Sequence, residues 1–407
     1  MTRLRIILLL ITVLSLIAGY SISPEIKVDE KPYLKEVAPD VQFSDKKGMP
    51  PHYKSGSGPV AFNTYDIVPA VRGYAGPIKL LIALDSGGTI FGIKILEHKE
   101  TENYVHYMVT PDYLRQFLGK NIHDPIRIDT DIDAISRATE SVQALAKTVR
   151  DSSRKIASQV YGLEVKSEET GRQAGIGWLL YLILFISAII FYYITRKSRE
   201  LLRARDFSLV LGTLIIGFYL AAPFSILNVF NLILFRHSSS IIWYVIIFGT
   251  FLSIVIAGRF YCGWLCPFGA LAEFIGRMPF KKWELSVRTD DMWRRVKYFL
   301  LCLIVVVVFL SRQSEYGNYE TYVALFAFHG NSLMWLLVAL MLVINVRVER
   351  FWCRYLCPVA ALTGLLTRKA DGYVSTKDCP MGNRHNPLIS ECIRCNRCYS
   401  KRENAGR

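Results

Sequence analysis

Cysteine is absent before Cys262, and nine in 407 residues are too few for a disulfide-stapled scaffold. Charge is sparse, at 20% of residues against 52% hydrophobic, which excludes bulk disorder and leaves more apolar surface than one soluble domain can use. Acidic residues are outnumbered 34 to 49 by Lys and Arg, for a formal net charge of +15. The basic residues cluster at the ends of long apolar runs rather than on a folded face, so the excess reads as membrane topology, with lipid as the partner and no nucleic acid. Histidine is scarce, with seven in the chain, and none lies deep within an apolar run. His237 and His329 sit near the run ends, so a bis-His haem is not expected.

What is present divides the chain into four stretches. Residues 1–24 open on MTRLR and continue in a charge-free run long enough to cross a bilayer, as a membrane anchor or a signal segment. Residues 25–171 are polar and mixed, of the size of one soluble domain. There 78–84 and 89–96 flank Asp85-Ser86-Gly87-Gly88 and predict a hairpin; apolar residues recurring at helical spacing from Val142 predict an amphipathic helix. Residues 172–370 carry apolar runs at 175–195, 207–235, 239–257, 298–311 and 333–346, giving about six spans with the N-terminal one. Residues 371–407 form a tail. The basic stretch RKSRELLRARD, the group Arg277, Lys281, Lys282, Arg294 and Arg295, and the group Arg347, Arg350, Arg368 and Lys369 all fall on the side of MTRLR. The opposite connections hold Arg236 and Arg312 alone. The positive-inside rule then sends 25–171 outward and keeps eight of the cysteines at or beyond the cytoplasmic face, where thiolate ligands survive.

Two constellations carry chemistry. In the tail, Cys379-Pro380 is followed after twelve residues by Cys392-Ile393-Arg394-Cys395-Asn396-Arg397-Cys398. Cys-x2-Cys-x2-Cys with an outlying Cys-Pro suits one 4Fe-4S cluster on Cys379, Cys392, Cys395 and Cys398; the alternative is structural zinc, which usually takes two separated pairs. With nine residues after Cys398, one tail cluster is expected. The second constellation is a repeat, Arg259-Phe260-Tyr261-Cys262-Gly263-Trp264-Leu265-Cys266-Pro267 against Arg350-Phe351-Trp352-Cys353-Arg354-Tyr355-Leu356-Cys357-Pro358. Cys-x3-Cys predicts both sulfurs on one helix face, with the following Pro disturbing the helix. Two copies related by a pseudo-twofold axis bring Cys262, Cys266, Cys353 and Cys357 together as a second metal or cluster site; the bland alternative is close helix packing. Cys302, alone in an apolar run, reads as a buried hydrophobe.

The two Cys-x3-Cys-Pro repeats, the ferredoxin-like tail and the stretch Asp133-Ala134-Ile135-Ser136-Arg137-Ala138-Thr139 together resemble the NosR/NirI/PceC group of membrane flavo-iron-sulfur proteins. The resemblance implies an α+β exported FMN-binding domain, a polytopic helical membrane domain and a short ferredoxin-like tail. It implies FMN joined through its phosphate to Thr139 by an FMN transferase, with Asp133, Ser136 and Ala138 completing the motif. Arg137 stands where the family usually has Gly, and its guanidinium offers the phosphate a partner. Independently of the family, Thr139 falls at the opening of the expected helix, where free N–H groups favour a phosphate; a Ser or Thr there is also what an ordinary cap looks like.

The expected function is electron transfer at a bacterial cytoplasmic membrane between an outward flavin and inward iron-sulfur centres, in support of an exported respiratory reductase or its maturation. By resemblance, the clients are of the nitrous-oxide reductase or reductive dehalogenase kind. A flavin exchanges one or two electrons and a cluster one, so the pair converts between carriers. Because the hydrocarbon is roughly 30 Å thick, a quinone or a cofactor with no readable motif is needed between them. The competing class is a non-enzymatic redox sensor or assembly scaffold, although no kinase or DNA-binding segment is recognisable.

Overall fold

The computed structural model describes residues 2–22, 29–56, 58–73, 76–98, 106–135, 139–165, 176–196, 202–236, 238, 240–283, 285–320, 322–328, 332–367, 379–382 and 391–398. Two compact units divide the chain: Glu25–Ala174 with Asn231–Ser240, and Met1–Pro24 with Gly175–Phe230 and Ile241–Arg407. Helix α1 (Thr2–Ile22) opens the chain and belongs to the helical unit.

The α+β unit runs α2 (Lys31–Val37), β1 (Tyr53–Lys54), β2 (Val60–Asn63), α3 (Thr64–Ile67), β3 (Lys79–Leu84), β4 (Ile90–Glu97), α4 (Pro111–Arg115) and α5 (Thr139–Tyr161). Its strands form one antiparallel sheet in the order β1-β2-β3-β4. The expected hairpin is β3 and β4: the Asp85 carboxylate accepts from the N–H groups of Gly87 and Thr89 at 2.9 and 2.8 Å, and Gly88 takes φ +80°, which an L side chain adopts at a cost. β3 reads KLLIAL because both of its faces are covered. Leu80, Ile82 and Leu84 join Val142, Leu145, Val149 and Ile156 of α5 in one core, while Leu81 and Ala83 pack with Val37 of α2 and Tyr53 in another.

The helical unit continues with α6 (Gly177–Thr195), α7 (Leu202–Gly212), a π-helical turn (Thr213–Tyr219), α8 (Ile226–Ile233), α9 (Ile241–Ala257), α10 (Phe260–Trp264), α11 (Pro267–Gly276), α12 (Val287–Ser311), a 3-10 turn (Ser314–Gly317), α13 (Tyr322–Ala327), α14 (Ser332–Arg347), α15 (Phe351–Tyr355) and α16 (Pro358–Leu366). Among the described residues one helix, α6, is long and apolar enough to cross a membrane; Arg5–Ser21, α9 and α14 are shorter apolar helices. The described helices therefore include one clear span, α6, against the about six expected from the apolar runs. The run 207–235 breaks at Ala221 (φ +46°) and Pro223, whose missing N–H and ring end a helix. The run at 298–311 is the second part of the 25-residue α12, whose first part carries the charged residues the sequence assigned to a loop.

After both α7 with its π turn and α12, the chain turns back toward the repeat segments. Tyr261 Oη accepts from the backbone N–H of Phe224, and Tyr319 Oη donates to the Leu356 carbonyl, each at 2.9 Å. Tyr322 stacks on Phe268 at 5.2 Å. The two returning loops also meet, since Ser225 donates to the buried Glu320 carboxylate, which accepts from the Ile226 N–H as well. Helix α1 lies against α12 closely enough that a Cβ on Gly19 would fall 1.9 Å from the Phe309 carbonyl oxygen; Arg5 donates to the Thr367 carbonyl at 2.9 Å.

Candidate functional site

The repeated cysteine sequence is also a repeated backbone, and it is not one helix. Cys262 lies in α10, and Cys266 is the N-cap of α11; Cys353 lies in α15, and Cys357 is the N-cap of α16. Leu265 and Leu356 leave the first helix at φ/ψ −126/−27° and −122/−29°, and Cys266 and Cys357 enter the second at −61/117° and −63/121°. The expected single helical face is corrected accordingly. Proline at N1 has no N–H to lose and starts a helix instead of interrupting one, so the second cysteine becomes a cap. Its sulfur accepts the N–H of Gly269 at 3.4 Å, or of Ala360 at 3.3 Å.

The copies face each other. Cys262 Sγ stands 4.0 Å from Thr363 Oγ1 in the other copy, and Arg350, which opens the second copy, donates to the Cys262 carbonyl at 2.8 Å. The equivalence reaches further back. Arg205 of α7 donates to the Gly263 carbonyl at 3.1 Å, and Lys297 of α12 donates to the carbonyl at the matching position, Arg354, at 2.9 Å.

Each copy rests on a buried carboxylate. Glu273 of α11 accepts both arms of Arg205 at 2.7 Å, Nη2 of Arg350 at 2.7 Å, Nη2 of Arg277 at 2.7 Å and Nη2 of Arg397 at 2.8 Å. Glu391 of the tail accepts from Lys297 at 2.5 Å, from Arg259 at 3.1 Å and from Tyr298 at 2.6 Å, with Arg294 at 3.9 Å. Burial works to raise the Glu391 carboxyl, but Lys297, Arg259 and Arg294 outweigh it and hold it down to about 2. Two of the donors on Arg259, Nε and Nη2, have no protein partner although the side chain is buried. The nearby Cys262 and Cys353 act on its charge.

The tail folds onto these turns. Ile393 lies against Gly263, Trp264 Nε1 donates to the Arg394 carbonyl at 3.0 Å, and Asn396 donates to the Tyr192 carbonyl and Thr195 Oγ1 at 2.9 Å. At the other copy Arg294 donates to the carbonyls of Met381 and Gly382 at 2.6 and 2.9 Å. Burial pushes the Cys379 and Cys392 thiols each up to about 12, with the charge of Cys395 adding to both. All nine cysteines are free thiols. Among the described residues no three His, Cys, Asp or Glu side chains converge tightly enough for a single metal ion. A cubane asks for something else than a zinc tetrahedron of about 2.3 Å bonds, since each of its four thiolates takes a different iron. Cys302 sits apart on α12, half-buried.

In the α+β unit, Thr139 is the first residue of the 23-residue α5. The backbone of Asp133 is pinned on both sides, its carbonyl accepting from Tyr113 at 2.6 Å and its N–H donating to Gln116 Oε1 at 2.7 Å. Ser136, Arg137 and Ala138 lie outside the described residues, as do His237 and His329. A helix that opens at Thr139 suits a phosphate at its N-terminus.

Sequence reasoning missed Tyr113, Gln116 and both carboxylate hubs. Arg205, Arg294 and Arg350 were counted as loop charges setting orientation, whereas they are buried partners of carboxylates or tail carbonyls. The signal for Glu273 was present, because it is the lone acid between Asp206 and Glu284.

Two family models match the chain: an FMN-binding domain over residues 73–153 and a 4Fe-4S binding domain over residues 239–286 and 328–374. Uncharacterized protein MJ0749 of Methanocaldococcus jannaschii is 31% identical over 162 residues, covering 36% of this chain and 61% of that protein. Regulatory protein NosR of Stutzerimonas stutzeri is 27% identical over 245 residues, 53% of this chain and 33% of that one; Protein NirI of Paracoccus denitrificans is 30% identical over 113 residues, 25% and 16%. The chain thus spans less than two thirds of the length of these curated relatives. No solved structure matches.

Proposed function

We propose that this chain, an FMN-binding and 4Fe-4S protein of the NosR/NirI type, works as a membrane electron-transfer protein joining a covalent flavin on Thr139 to iron-sulfur centres on two cysteine quartets. The observation that carries the reading is the charge around the cysteines. Among the described residues eight cations (Arg205, Arg259, Arg277, Arg294, Lys297, Arg350, Arg354 and Arg397) face Asp206, Glu273, Asp290 and Glu391, with Glu349 near Arg350 and Arg397 as a fifth carboxylate, so the cations remain in excess. Uncompensated buried charge is costly, and cysteines used only for packing would give no reason for it. A cluster held by four thiolates is an anion and supplies the missing charge. The orphan Arg259 donors beside Cys262 and Cys353 point the same way.

Cys379, Cys392, Cys395 and Cys398 hold one 4Fe-4S centre in this reading, and Cys262, Cys266, Cys353 and Cys357 hold the second; bound there, such centres supply one-electron redox chemistry. The protein's part is positional. The N-cap amides of Gly269 and Ala360 and the Arg259 guanidinium offer hydrogen bonds to sulfur, and buried Trp264 and Ile393 exclude water. In the other unit Tyr113 and Gln116 hold the backbone of Asp133, and Asp133, Ser136 and Ala138 complete the flavin motif that an FMN transferase recognises.

The helical unit sits in the cytoplasmic membrane with about six crossings; the flavin domain faces outward and the tail inward. Helices of 16 and 17 residues, as α14 and α9 are, reach about 24–26 Å, less than the roughly 30 Å of hydrocarbon. The cysteine turns that follow them therefore lie below the inner surface, where irregular backbone is tolerated because protein covers it. That placement shortens the path to an outward flavin, and a quinone carries electrons over the remainder. The client is an exported respiratory reductase or its maturation machinery. The test is anaerobic purification with iron, sulfide and flavin assayed per chain, followed by reduction of the flavin. Cluster reduction following flavin reduction supports the reading; stoichiometric zinc without sulfide overturns it.

A further inference from the structure

We propose that the Cys262–Cys266 turn and the Cys392–Cys395 turn form a direct electron junction, in which the two quartets exchange an electron with no carrier between them. The inference rests on the reading of both quartets as cluster ligands, and concerns their relation. Its first support is a backbone contact. Gly263 lies between the two cysteines of one turn and Ile393 between two cysteines of the other, and a Cβ on Gly263 would fall 2.0 Å from the Ile393 carbonyl oxygen. No side chain, water or cofactor fits between backbones that close.

Three hydrogen-bonded links bridge the same gap. Trp264 Nε1 donates to the carbonyl of Arg394, which is bonded directly to Cys395, and Arg259 Nη1 donates at 3.0 Å to the carbonyl of Glu391, bonded directly to Cys392. The third runs from the Cys262 carbonyl through Arg350 and Glu273 to Arg397, the residue before Cys398. The side chains of Trp264, Arg350, Glu273 and Arg259 are all essentially inaccessible to water. A docking contact alone does not require that every link end beside a cysteine of the tail and that one of them start on the Cys262 carbonyl. With both quartets loaded, one electron would pass from the reduced site, which is oxidised, to the oxidised site, which is reduced; no bond forms or breaks and no proton moves.

Electron paramagnetic resonance of the full-length protein, purified anaerobically and reduced completely with dithionite, tests this. Two neighbouring paramagnetic clusters split and broaden each other's signals, so the wild-type spectrum is expected to be interaction-broadened. Cys392→Ser/Cys395→Ser, which removes the tail cluster, should leave one simple signal with half the integrated spin. Gly263→Ala should lose the splitting while keeping iron and sulfide per chain, because its methyl displaces the tail turn. A wild-type spectrum that is the plain sum of two independent signals overturns the junction and leaves the cluster assignment standing, even if Gly263→Ala fails to fold. Wild-type splitting retained in Gly263→Ala overturns the contact as its cause. Iron and sulfide for fewer than two clusters overturns both the junction and the reading of the two quartets.

Discussion

Replacing Glu273 with Gln removes one negative charge from the centre of four guanidiniums while keeping the shape of the side chain. Arg205, Arg350 and Glu273 are each at most 1% exposed, so water cannot screen what is left. Gln also turns an N–H donor toward groups that are themselves only donors. Breaking a buried ion pair from one side costs about 3–5 kcal/mol, which at roughly 1.4 kcal/mol per decade lowers the folded-to-unfolded ratio on the order of 10²–10³-fold. Arg397→Gln removes the partner that the tail supplies, whose side chain is 24% exposed, and should cost about 1 kcal/mol or less while loosening the tail. The assay is the temperature of half-loss of the monodisperse peak in detergent, with protease sensitivity of the tail read in parallel. The expected order of loss is Glu273→Gln, then Glu273→Asp, then Arg397→Gln. A Glu273→Gln protein that elutes, melts and resists protease as wild type does would refute the argument that this carboxylate holds the tail and both cysteine copies together.

Thr139→Ala should abolish flavin fluorescence from the denatured chain when it is made in a host with the transferase, and equal fluorescence from the variant would remove Thr139 from the assignment. Among the repeats, Cys262→Ser/Cys266→Ser should impair client-linked electron flow about as fully as the fourfold cysteine variant, since ligands of one site are strongly non-additive. Additive losses from the two pairs would instead mean two sites, and wild-type flow in the fourfold variant would leave packing as their role. Reporter fusions at Lys166 and after Arg407 should read opposite sides of the membrane; the same side for both gives the crossings the wrong parity.

Local chemistry was the legible part. A turn of Asp and two glycines and the stripe from Val142 each specify structure within a few residues, and the hairpin and α5 appear where the pattern puts them. Apolar runs were less informative, because length alone does not separate a continuous helix from one that stops at Pro223 and turns back. The buried hubs could not be read at all from charge counting. Arg205 precedes Cys262 by more than fifty residues, and a basic residue at the end of an apolar run looks the same whether it meets lipid headgroups or a carboxylate brought in by another helix. The family resemblance supplied the cofactor classes, but it said nothing of Glu273 and Glu391.

The two copies of the repeat differ where it matters for the tail. At the third position before the proline-linked cysteine, the first copy has Gly263 and the second Arg354, and the short helices that hold them end in the same backbone conformation at Leu265 and Leu356. A side chain at Gly263 would collide with Ile393, so that copy can accept the three-cysteine segment only as glycine. In the second copy the relation is inverted. Arg354 extends to Asp290 at 2.8 Å, and the glycine lies on the tail side, at Gly382, where a Cβ would come 2.4 Å from the guanidinium. The tail therefore has one way to sit, with Cys392, Cys395 and Cys398 toward the first copy and Cys379 toward the second. The two copies differ here by Gly against Arg, and that difference fixes which cysteine turn meets the tail. Exchanging the two residues, Gly263→Arg with Arg354→Gly, would thus not restore docking in mirrored form, because the tail's own glycine would be left facing no arginine.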